Sequence, residues 1–402
     1  MPQMIVRNPT ALEVEAAAVI ASKAFTKQSL EHWQDSFHTT AELFGERFIL
    51  VVELDGELVS SLICTPGSIM RDGKIVSHSA AGAVGTLPEY RRMGCAGAMM
   101  TECAKLLHSE GICASSLWPF SYKYYRKFGW EVGAEWRAYS GPSSVFAEHG
   151  NSEKVRKADI EDLCSIKSVY VDFATQYNCL TVRTDSWWDR IVKINNYLKP
   201  LDKQGAIVHI TDSEVDGYAV YDVETREEDN VVGVKEIVFK RHEHRRDMLA
   251  KLAMIDPKGQ VNFGAPAGDL FLHELPEPRD VTTSVRPAFQ FRIFDPQAAL
   301  LALSPADDIS GRLSFVLTDP VLEPVREIGV EISGGGVSIC KPERASAMEM
   351  DIMTFAKIFS GYISPGDAWK IGKVKTDNNE VLELANRAFS TLDPYRSWIE
   401  PG

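Results

Sequence analysis

The sequence predicts an α/β protein with mixed sheets, in which one α/β domain occurs twice and a separate α+β domain follows. Three observations predict this fold class: the length of 402 residues, pairs of similar segments at nearly one spacing, and a change of pattern after residue 286. A chain of this length exceeds one ordinary hydrophobic core, because domains typically contain about 100–200 residues. The hydrophobic content of 45% favours packed domains over disorder.

Charge and composition limit the partners and the compartment. A formal net charge of −13 repels nucleic acid and anionic membranes, and it attracts cationic substrates. The N-terminal segment lacks the apolar core of a signal peptide, and no apolar stretch is long enough to span a bilayer. We therefore expect a cytoplasmic protein that binds neither nucleic acid nor a membrane.

The cysteine and histidine patterns predict no metal site. Seven cysteines are scattered without a C-x-x-C pair, and this spacing forms neither a disulfide framework nor a zinc site. The "HEH" at 242–244 lacks a third ligand at suitable spacing, so we interpret it as a solvated loop. The "SGGGV" at 333–337 is interpreted as a flexible turn between strands.

The first pair of similar segments begins each predicted α/β domain. "IVRNPTALEV" and "KVRKADIEDL" both contain a Val-Arg strand followed by a polar residue that can cap a helix. An acidic residue follows three positions later in each, Glu13 after Thr10 and Asp162 after Asp159, which is the spacing of a capping box. The two Val-Arg pairs are 149 positions apart.

Two further pairs occur in the same order. "FILVVELDGELVSSLI" and "AIVHITDSEVDGYAVYDV" are apolar runs that we expect to fold about Asp-Gly, with Asp55 and Asp216 161 positions apart. "RRMGCAGAMM" and "RRDMLAKLAM" place Arg91 and Arg245 154 positions apart. Three correspondences at nearly one offset predict a duplicated domain.

The predicted domains are residues 1–150, 151–285 and 286–402. The third combines strands and turns with an apolar-periodic helix that ends at Gly361. It closes with "STLDPYRSWIEPG", in which prolines prevent a helix and aromatic residues favour burial. We therefore expect this terminal segment to dock onto another part of the protein.

The small residues after Arg91 and Arg92 lie between an apolar strand and an amphipathic helix. A helix N-terminus offers unpaired N–H groups and a partial positive charge, so it binds phosphate when side chains do not obstruct it. Gly94, Ala96 and Gly97 remove that obstruction. Small residues also allow a helix to pack closely against a sheet, so packing alone remains an alternative.

Arg91 through Ala96 fits the pattern Arg/Gln-x-x-Gly-x-Gly/Ala and resembles the coenzyme A pyrophosphate loop of the GCN5-related N-acetyltransferases (GNAT). The resemblance implies that acetyl-CoA is the acetyl donor. It implies a cofactor site formed by Val84, Gly85, Thr86, Arg91, Arg92, Met93, Gly94, Cys95, Ala96 and Gly97.

The second copy lacks this small-residue pattern. Met248 is at the position that the alignment pairs with Gly94, and Leu249 and Lys251 replace Cys95 and Gly97. These side chains would fill the space that a pyrophosphate needs. We therefore interpret the second GNAT domain as a degenerate, structural copy.

The whole chain is similar to the "enhanced intracellular survival" (Eis) acetyltransferases, which combine an intact GNAT domain, a degenerate one and a sterol-carrier-like domain. The resemblance implies a homohexamer built as a trimer of dimers. It also implies a cationic amine acceptor of the aminoglycoside type that is acetylated at several positions. Protein lysines or polyamines as acceptors, a coenzyme A-binding sensor without turnover, and a lipid carrier remain alternatives.

The resemblance also implies catalytic residues. "YYRKFGW" matches the family's Tyr-x-x-Phe-Gly-aromatic element and assigns Tyr125 as the general acid, with Tyr122 and Tyr124 close enough for a shifted register. A phenol has a reference pKa of about 10 and stays protonated at neutral pH. This value is close to the pKa of a thiol, about 8.5, so proton transfer between the two groups is easy.

The family's general base is its C-terminal carboxylate, here that of Gly402. This chain departs from the family by ending in Pro-Gly rather than a bulky residue, and Glu400 is the acidic alternative. Phe25 and Trp33 are candidate aromatic walls of an amine pocket, with core packing as the alternative.

Overall fold

The computed structural model describes residues 3–190, 197–198, 203–226, 230–389 and 392–400. It contains two seven-stranded sheets and one four-stranded sheet. Within the described part of the chain, no helix is both long and apolar enough to cross a membrane.

The first part of the chain forms seven strands and five helices. In order, they are β1 (Met4–Arg7), α1 (Val14–Ala24), α2 (Leu30–Phe44), β2 (Ile49–Leu54), β3 (Glu57–Arg71), β4 (Lys74–Thr86), α3 (Cys95–Ser109), β5 (Ala114–Leu117), α4 (Tyr122–Arg126), β6 (Glu131–Val132), β7 (Glu135–Pro142) and α5 (Ser143–Ala147).

The second part repeats the strand-helix order. Its elements are β8 (Val155–Lys157), α6 (Leu163–Ala174), α7 (Asp185–Arg190), β9 (Gln204–Thr211), β10 (Glu214–Thr225), β11 (Asn230–Phe239), α8 (His242–Ala253), β12 (Gln260–Pro266) and β13 (Thr282–Pro287).

The third part carries the four-stranded sheet and its helices. Its elements are β14 (Gln290–Ile293), α9 (Pro296–Leu301), β15 (Gly311–Thr318), β16 (Val325–Ser333), β17 (Gly336–Cys340), β18 (Ala347–Asp351), α10 (Ile352–Ser360), α11 (Pro365–Lys370) and α12 (Asn379–Ala388). The predicted turn is present between β16 and β17, and Gly361 ends α10 with a φ of 89°.

The predicted duplication is confirmed by an ion pair that recurs in both copies. Arg7 donates to both carboxylate oxygens of Glu13 at 2.8 Å, and Arg156 donates to those of Asp162 at 2.7 and 2.6 Å. Each acidic residue also accepts a hydrogen bond from the backbone N–H of the capping residue, as the capping boxes predict. Each pair therefore ties its entering strand to the first helical turn.

Two strands lie in a sheet other than the one that the predicted domain boundaries assign them to. The first sheet has the order β1-β2-β3-β4-β5-β14-β6 and the second β13-β7-β12-β11-β10-β9-β8. β7, from the first part of the chain, pairs with β12 and β13 in the second sheet. β14 lies between β5 and β6 in the first sheet, and all four of its residues are buried. Sheet membership therefore does not follow chain order.

The second predicted hairpin turn is wrong by four residues. The turn between β9 and β10 consists of Asp212 and Ser213, whose φ angles of 50° and 71° suit a tight two-residue hairpin. Asp216 and Gly217 lie inside β10, where the pairing register shifts between Val215 and Gly217. Asp216 is the extra residue of this β-bulge, so an Asp-Gly pair here marks a bulge rather than a turn.

The predicted alignment of Met248 with Gly94 is also wrong. Eight residues, 87–94, separate β4 from α3, whereas only two residues separate β11 from α8. Arg241 therefore caps the start of α8, while Arg245 and Met248 are buried within the helix. The second copy lacks the whole connecting loop, which is a stronger reason than side-chain bulk for its lack of a pyrophosphate loop.

Candidate active site

The neighbouring strands β4 and β5 stop pairing partway along the first sheet, and an opening lies between them beyond that point. Their parallel pairing runs from His78 opposite Ala114 to Ala80 opposite Ser116. β4 then continues to Thr86, but among the described residues no ladder partner follows on its β5 side. An extended ligand can add to such an exposed strand edge through main-chain hydrogen bonds.

A β-bulge lies in β4 beside this opening. Ser61 pairs with Gly85 and Ile63 pairs with Gly82, so that two β4 residues, Ala83 and Val84, oppose a single β3 residue. Ala83 has a left-handed φ of 53°. Bulges redirect backbone groups and occur often next to active sites. The bulge therefore turns the backbone at Val84, one of the predicted cofactor residues, away from the regular ladder.

The predicted pyrophosphate loop forms the start of α3. Gly94 is the N-cap with a φ of 93°, and an added Cβ there would meet no atom within 4 Å. No side chain caps the helix, and Arg91, Arg92 and Met93 are exposed just before it. The open space and the positive end of a 15-residue helix fit a pyrophosphate.

Gly97 has a packing role as well. A Cβ at this position would lie 3.5 Å from the Phe128 ring and 3.9 Å from the Tyr124 hydroxyl. Cys95 is buried and Ala96 is half-buried beside it. The small side chains of this turn thus allow the segment with the candidate tyrosines to pack next to the start of α3. Gly97 therefore fits the packing alternative.

The three candidate tyrosines have different surroundings on or beside α4. Tyr122 donates from its hydroxyl to the carbonyl oxygens of Pro287 and Ala288, at 2.9 and 2.6 Å. Tyr125 is 3% exposed, and burial raises the pKa of its phenol. Burial likewise raises the pKa of the half-buried Tyr124. Tyr122 is therefore held by the chain itself, while Tyr124 and Tyr125 remain the candidates.

A buried arginine that the sequence analysis missed supports the tyrosine segment. Arg292 of β14 donates to both carboxylate oxygens of Asp319, at 3.0 and 2.9 Å, and its guanidinium lies 5.4 Å from the Trp130 ring centre. Gly129, with a φ of 88°, faces it so closely that a Cβ would lie 1.4 Å from Nη1. An arginine within the apolar "FQFRIF" is its only sequence signal.

We expect Gly129→Ala to destabilise the protein by about 3 kcal/mol or more, because the methyl group collides with Arg292 and the left-handed φ is unfavourable for alanine. Urea unfolding measures the change in the free energy of unfolding. Gly73→Ala is the matched control, since its φ of 74° is similar but open space surrounds it, and it should cost only about 1–2 kcal/mol. Equal losses would show that the collision contributes nothing.

Phe25 and Trp33 lie together beside the β4 bulge. Their ring centres are 5.3 Å apart, and a Cβ at Gly85 would lie 3.4 Å from the Phe25 ring. Trp33 is largely buried, and its indole nitrogen has no hydrogen-bond partner among the described residues. The pair therefore forms an aromatic wall beside Gly85, one of the predicted cofactor residues, while the indole nitrogen is enclosed.

The C-terminal segment docks against the end of β5, as far as it is described. Trp398 lies 4.0 Å from Trp136 and stacks on Trp118, which follows β5, at 5.8 Å between ring centres. Arg396 donates to Ser116 of β5, and its carbonyl oxygen accepts from Trp136 at 3.0 Å. Gly402 lies outside the described residues, so its carboxylate remains a prediction.

Glu400 faces the second domain. It is 4% exposed, and its Oε1 accepts hydrogen bonds from Nε and Nη2 of Arg183 at 2.9 and 2.6 Å. This oxygen is therefore already held by a guanidinium, which argues against the alternative assignment of Glu400 as the base. Arg183 has no local sequence signal, because 217 positions separate it from Glu400.

The interpretation of "HEH" as a solvated loop is wrong. His244 lies in α8, is buried, and stacks on His209 with ring centres 4.4 Å apart. His209 contacts Asp216 at 2.5 Å through Nδ1 and Asp247 at 2.9 Å through Nε2. The bulge in β10 aims Asp216 inward, which the sequence spacing could not indicate.

The side chains of His209, Asp216 and His244 are close enough to one another to be considered as metal ligands. The two rings are nearly parallel, at 13°, and stacked rings cannot both direct nitrogen lone pairs at one ion. Both nitrogens of His209 are also engaged by carboxylates. The arrangement is therefore a self-contained hydrogen-bonded cluster in the core of the second domain.

Comparisons with solved structures identify the same three-part fold. The chain matches a conserved protein of Enterococcus faecalis V583 (18% identity, 98% of each chain, TM-score 0.84) and a GCN5-related N-acetyltransferase from Anabaena variabilis (16% identity, 98% of this chain and 100% of the other, TM-score 0.82). It also matches Eis1 from Mycobacterium abscessus (18% identity, 98% and 99%, TM-score 0.77). No curated protein matches the chain by sequence.

Family comparisons assign each part of the chain. Residues 6–133 and 179–293 each match an Acetyltransferase (GNAT) domain family, whose members use acetyl-CoA as the acetyl donor, and residues 296–397 match the Sterol carrier protein domain. The predicted Eis-like domain order and mixed α/β fold are confirmed. The chain is a GNAT-family N-acetyltransferase with tandem GNAT domains and a C-terminal sterol-carrier-like domain.

Proposed function

We propose that the first GNAT domain transfers acetyl from acetyl-CoA to primary amines of a polycationic acceptor of the aminoglycoside type. The observation that carries this proposal is the strand opening between β4 and β5, bounded by a bulge at Ala83 and by the uncapped start of α3 at Gly94. The second domain has only two residues between β11 and α8, so it lacks the matching loop.

In the proposed reaction, acetyl-CoA supplies the thioester. The β4 backbone from Val84 to Thr86, which has no described strand partner on its β5 side, holds the donor. The start of α3 together with Arg91 and Arg92 binds its pyrophosphate. The acceptor amine attacks the acetyl carbon, the carbon–sulfur bond breaks, and Tyr125 gives its phenolic proton to the departing thiolate. The carboxylate of Gly402 takes the proton that the amine loses.

Phe25 and Trp33 support a cationic acceptor. Their aromatic faces lie together beside Gly85 and can attract an ammonium group. The net charge of −13 raises the local concentration of polycations. Aminoglycosides carry several amines, and the Eis resemblance favours them over lysine side chains and polyamines.

Release of free thiol from acetyl-CoA with a panel of amines tests the proposal. We expect turnover with aminoglycosides at kcat/KM values at least tenfold above those with polyamines or a lysine peptide, and mass spectrometry should detect several acetyl groups per acceptor. Turnover restricted to lysine peptides or polyamines would show that these amines, and not aminoglycosides, are the acceptors. Tight acetyl-CoA binding without turnover on any amine would instead favour a coenzyme A-binding sensor.

Extending the chain beyond Gly402 by a few residues should remove activity while acetyl-CoA binding survives, because the reacting carboxylate belongs to the chain end. The loss should reach roughly the hundredfold to ten-thousandfold that a general base contributes. An N-terminal extension of equal length is the control. Full turnover in the C-terminally extended enzyme would rule out the Gly402 carboxylate as the base.

The assembly and compartment are proposed from the resemblance and the sequence. We propose a homohexamer in the cytoplasm, where acetyl-CoA is available and thiols stay reduced. All seven cysteines are free thiols, including Cys64 and Cys103, whose sulfur atoms are only 3.4 Å apart. Analytical ultracentrifugation tests the hexamer, and a monomer at micromolar concentration would contradict it.

A further inference from the structure

Arg183 is the centre of a buried ionic cluster in the second domain. Its side chain is fully buried and donates to Glu236 of β11 at 3.0 and 2.5 Å, in addition to Glu400. Tyr218 of β10 donates to Glu236 at 2.6 Å and accepts from Arg183 at 3.2 Å. Among the described residues of this cluster, Glu400 alone comes from the C-terminal segment.

Aromatic rings enclose the guanidinium. Its carbon lies 3.6 Å from the ring centre of Tyr170, 4.1 Å from that of Trp187 and 4.9 Å from that of Trp188. An enclosed guanidinium cannot turn to another partner, and a carboxylate that enters this site is held at two nitrogens in fixed geometry. Buried ion pairs of this kind add little net stability, but they can select one arrangement of the chain.

The cluster fixes the C-terminal segment at Glu400, the last residue that the structure describes. Arg396 and Trp398 contact the first domain, while Glu400 binds Arg183 of the second. The backbone of Asn178 also pairs with Asp393 and Tyr395, and the Gly268 N–H donates to Asp393, so the second domain holds the segment at several points.

We propose that the second GNAT domain acts as the receptor for the chain's own C-terminal segment, and that Arg183 is the positioning residue that holds it there through Glu400. The part of the proposal that concerns catalysis rests on the proposed role of the Gly402 carboxylate. A duplicated domain without a pyrophosphate loop thereby retains a function: it orients a group that acts in the first domain.

The experiment compares Arg183→Lys, Arg183→Met and Glu400→Gln in the full-length enzyme. Hydrogen–deuterium exchange of the peptide that contains residues 392–400, measured without substrate, reports attachment of the segment. Steady-state kinetics report kcat and the KM for acetyl-CoA. Arg245→Lys and Arg245→Met are matched controls, because Arg245 is also buried in the second domain between two carboxylates, Asp269 and Glu274.

We expect faster exchange of the terminal peptide in all three variants. The folded Arg245 controls should show a smaller change, because their partner Asp269 follows Gly268, which donates to Asp393 in the same peptide. The kcat should fall roughly 10- to 100-fold, because a misplacement of about 1 Å can cost that much, while the KM for acetyl-CoA stays within about twofold. Arg183→Lys, which keeps the charge, should retain more activity than Arg183→Met. In Glu400→Gln the buried guanidinium of Arg183 is still paired with Glu236. This variant therefore tests the proposal even if Arg183→Met fails to fold.

Unchanged exchange of residues 392–400 in Arg183→Lys and Glu400→Gln would overturn the receptor proposal, whatever the activity. Faster exchange with an unchanged kcat would support the receptor but overturn the positioning role, and it would also contradict the terminal carboxylate as base. Faster exchange with a reduced kcat, together with loss of activity on C-terminal extension, supports both proposals.

Discussion

Gly94→Glu is expected to abolish acetyl-CoA binding while the protein stays folded. Gly94 precedes α3 in open space, so a glutamate can be accommodated there apart from the cost of its left-handed φ, about 1–2 kcal/mol. Its carboxylate would then occupy the phosphate site. At about 4 Å and an effective dielectric constant near 20, the repulsion between two unit charges is about 4 kcal/mol, or roughly a thousandfold in affinity.

Calorimetric titration with acetyl-CoA measures this loss, and circular dichroism confirms the fold. Gly334→Glu is the matched control, because Gly334 also has a positive φ, 54°, and open space around it but lies in the β16–β17 turn. The control should bind acetyl-CoA with wild-type affinity. If Gly94→Glu binds equally well, the loop before α3 does not hold the pyrophosphate, and small residues serve packing alone.

Local chemistry made much of the fold predictable. The capping boxes, the end of β4 at Thr86 and the end of α10 at Gly361 depend on residues within a few positions, so the sequence indicates them directly. The proposed pyrophosphate loop is equally local, because a glycine at the helix start both permits the left-handed φ and leaves open space.

The features that the sequence did not predict depend on distant partners. β14 enters the first sheet between β5 and β6, and nothing within its four residues indicates which sheet it completes. The bulge at Ala83 arises from the pairing of β3 with β4. Asp216 lies in β10, where its carboxylate contacts His209. The Asp-Gly pair that predicts a turn is therefore part of a strand. Pairings of this kind override local propensity.

The candidate site divides in the same way. The predicted cofactor residues form two short runs, 84–86 and 91–97, separated by only four positions, so the sequence indicates them together. Two buried arginines hold the neighbouring segments in place: Arg292 packs against Gly129, and Arg183 pairs with Glu400. The partners of both arginines come from other parts of the chain. A buried arginine and an exposed one look alike in a sequence, because burial is decided by the whole fold.

Tyr125→Phe is expected to lower kcat by roughly a hundredfold to ten-thousandfold with acetyl-CoA affinity nearly unchanged, because the substitution removes only the hydroxyl of the proposed general acid. Stopped-flow or steady-state thiol release measures kcat. Tyr122→Phe is the control: the Tyr122 hydroxyl donates to backbone carbonyls of the segment before β14, so its loss should change kcat only a few-fold.

The pH dependence makes the same assignment testable in the unsubstituted enzyme. Burial raises the pKa of Tyr125 above its usual value near 10, so the phenol stays protonated throughout the neutral and mildly alkaline range. The kcat should therefore show no decline attributable to this group below about pH 10. Tyr124 lies one residue away, and its hydroxyl is close to Gly97 at the helix start. If Tyr124→Phe gives the large loss and Tyr125→Phe does not, the acid is Tyr124, and the family register is shifted by one residue in this chain.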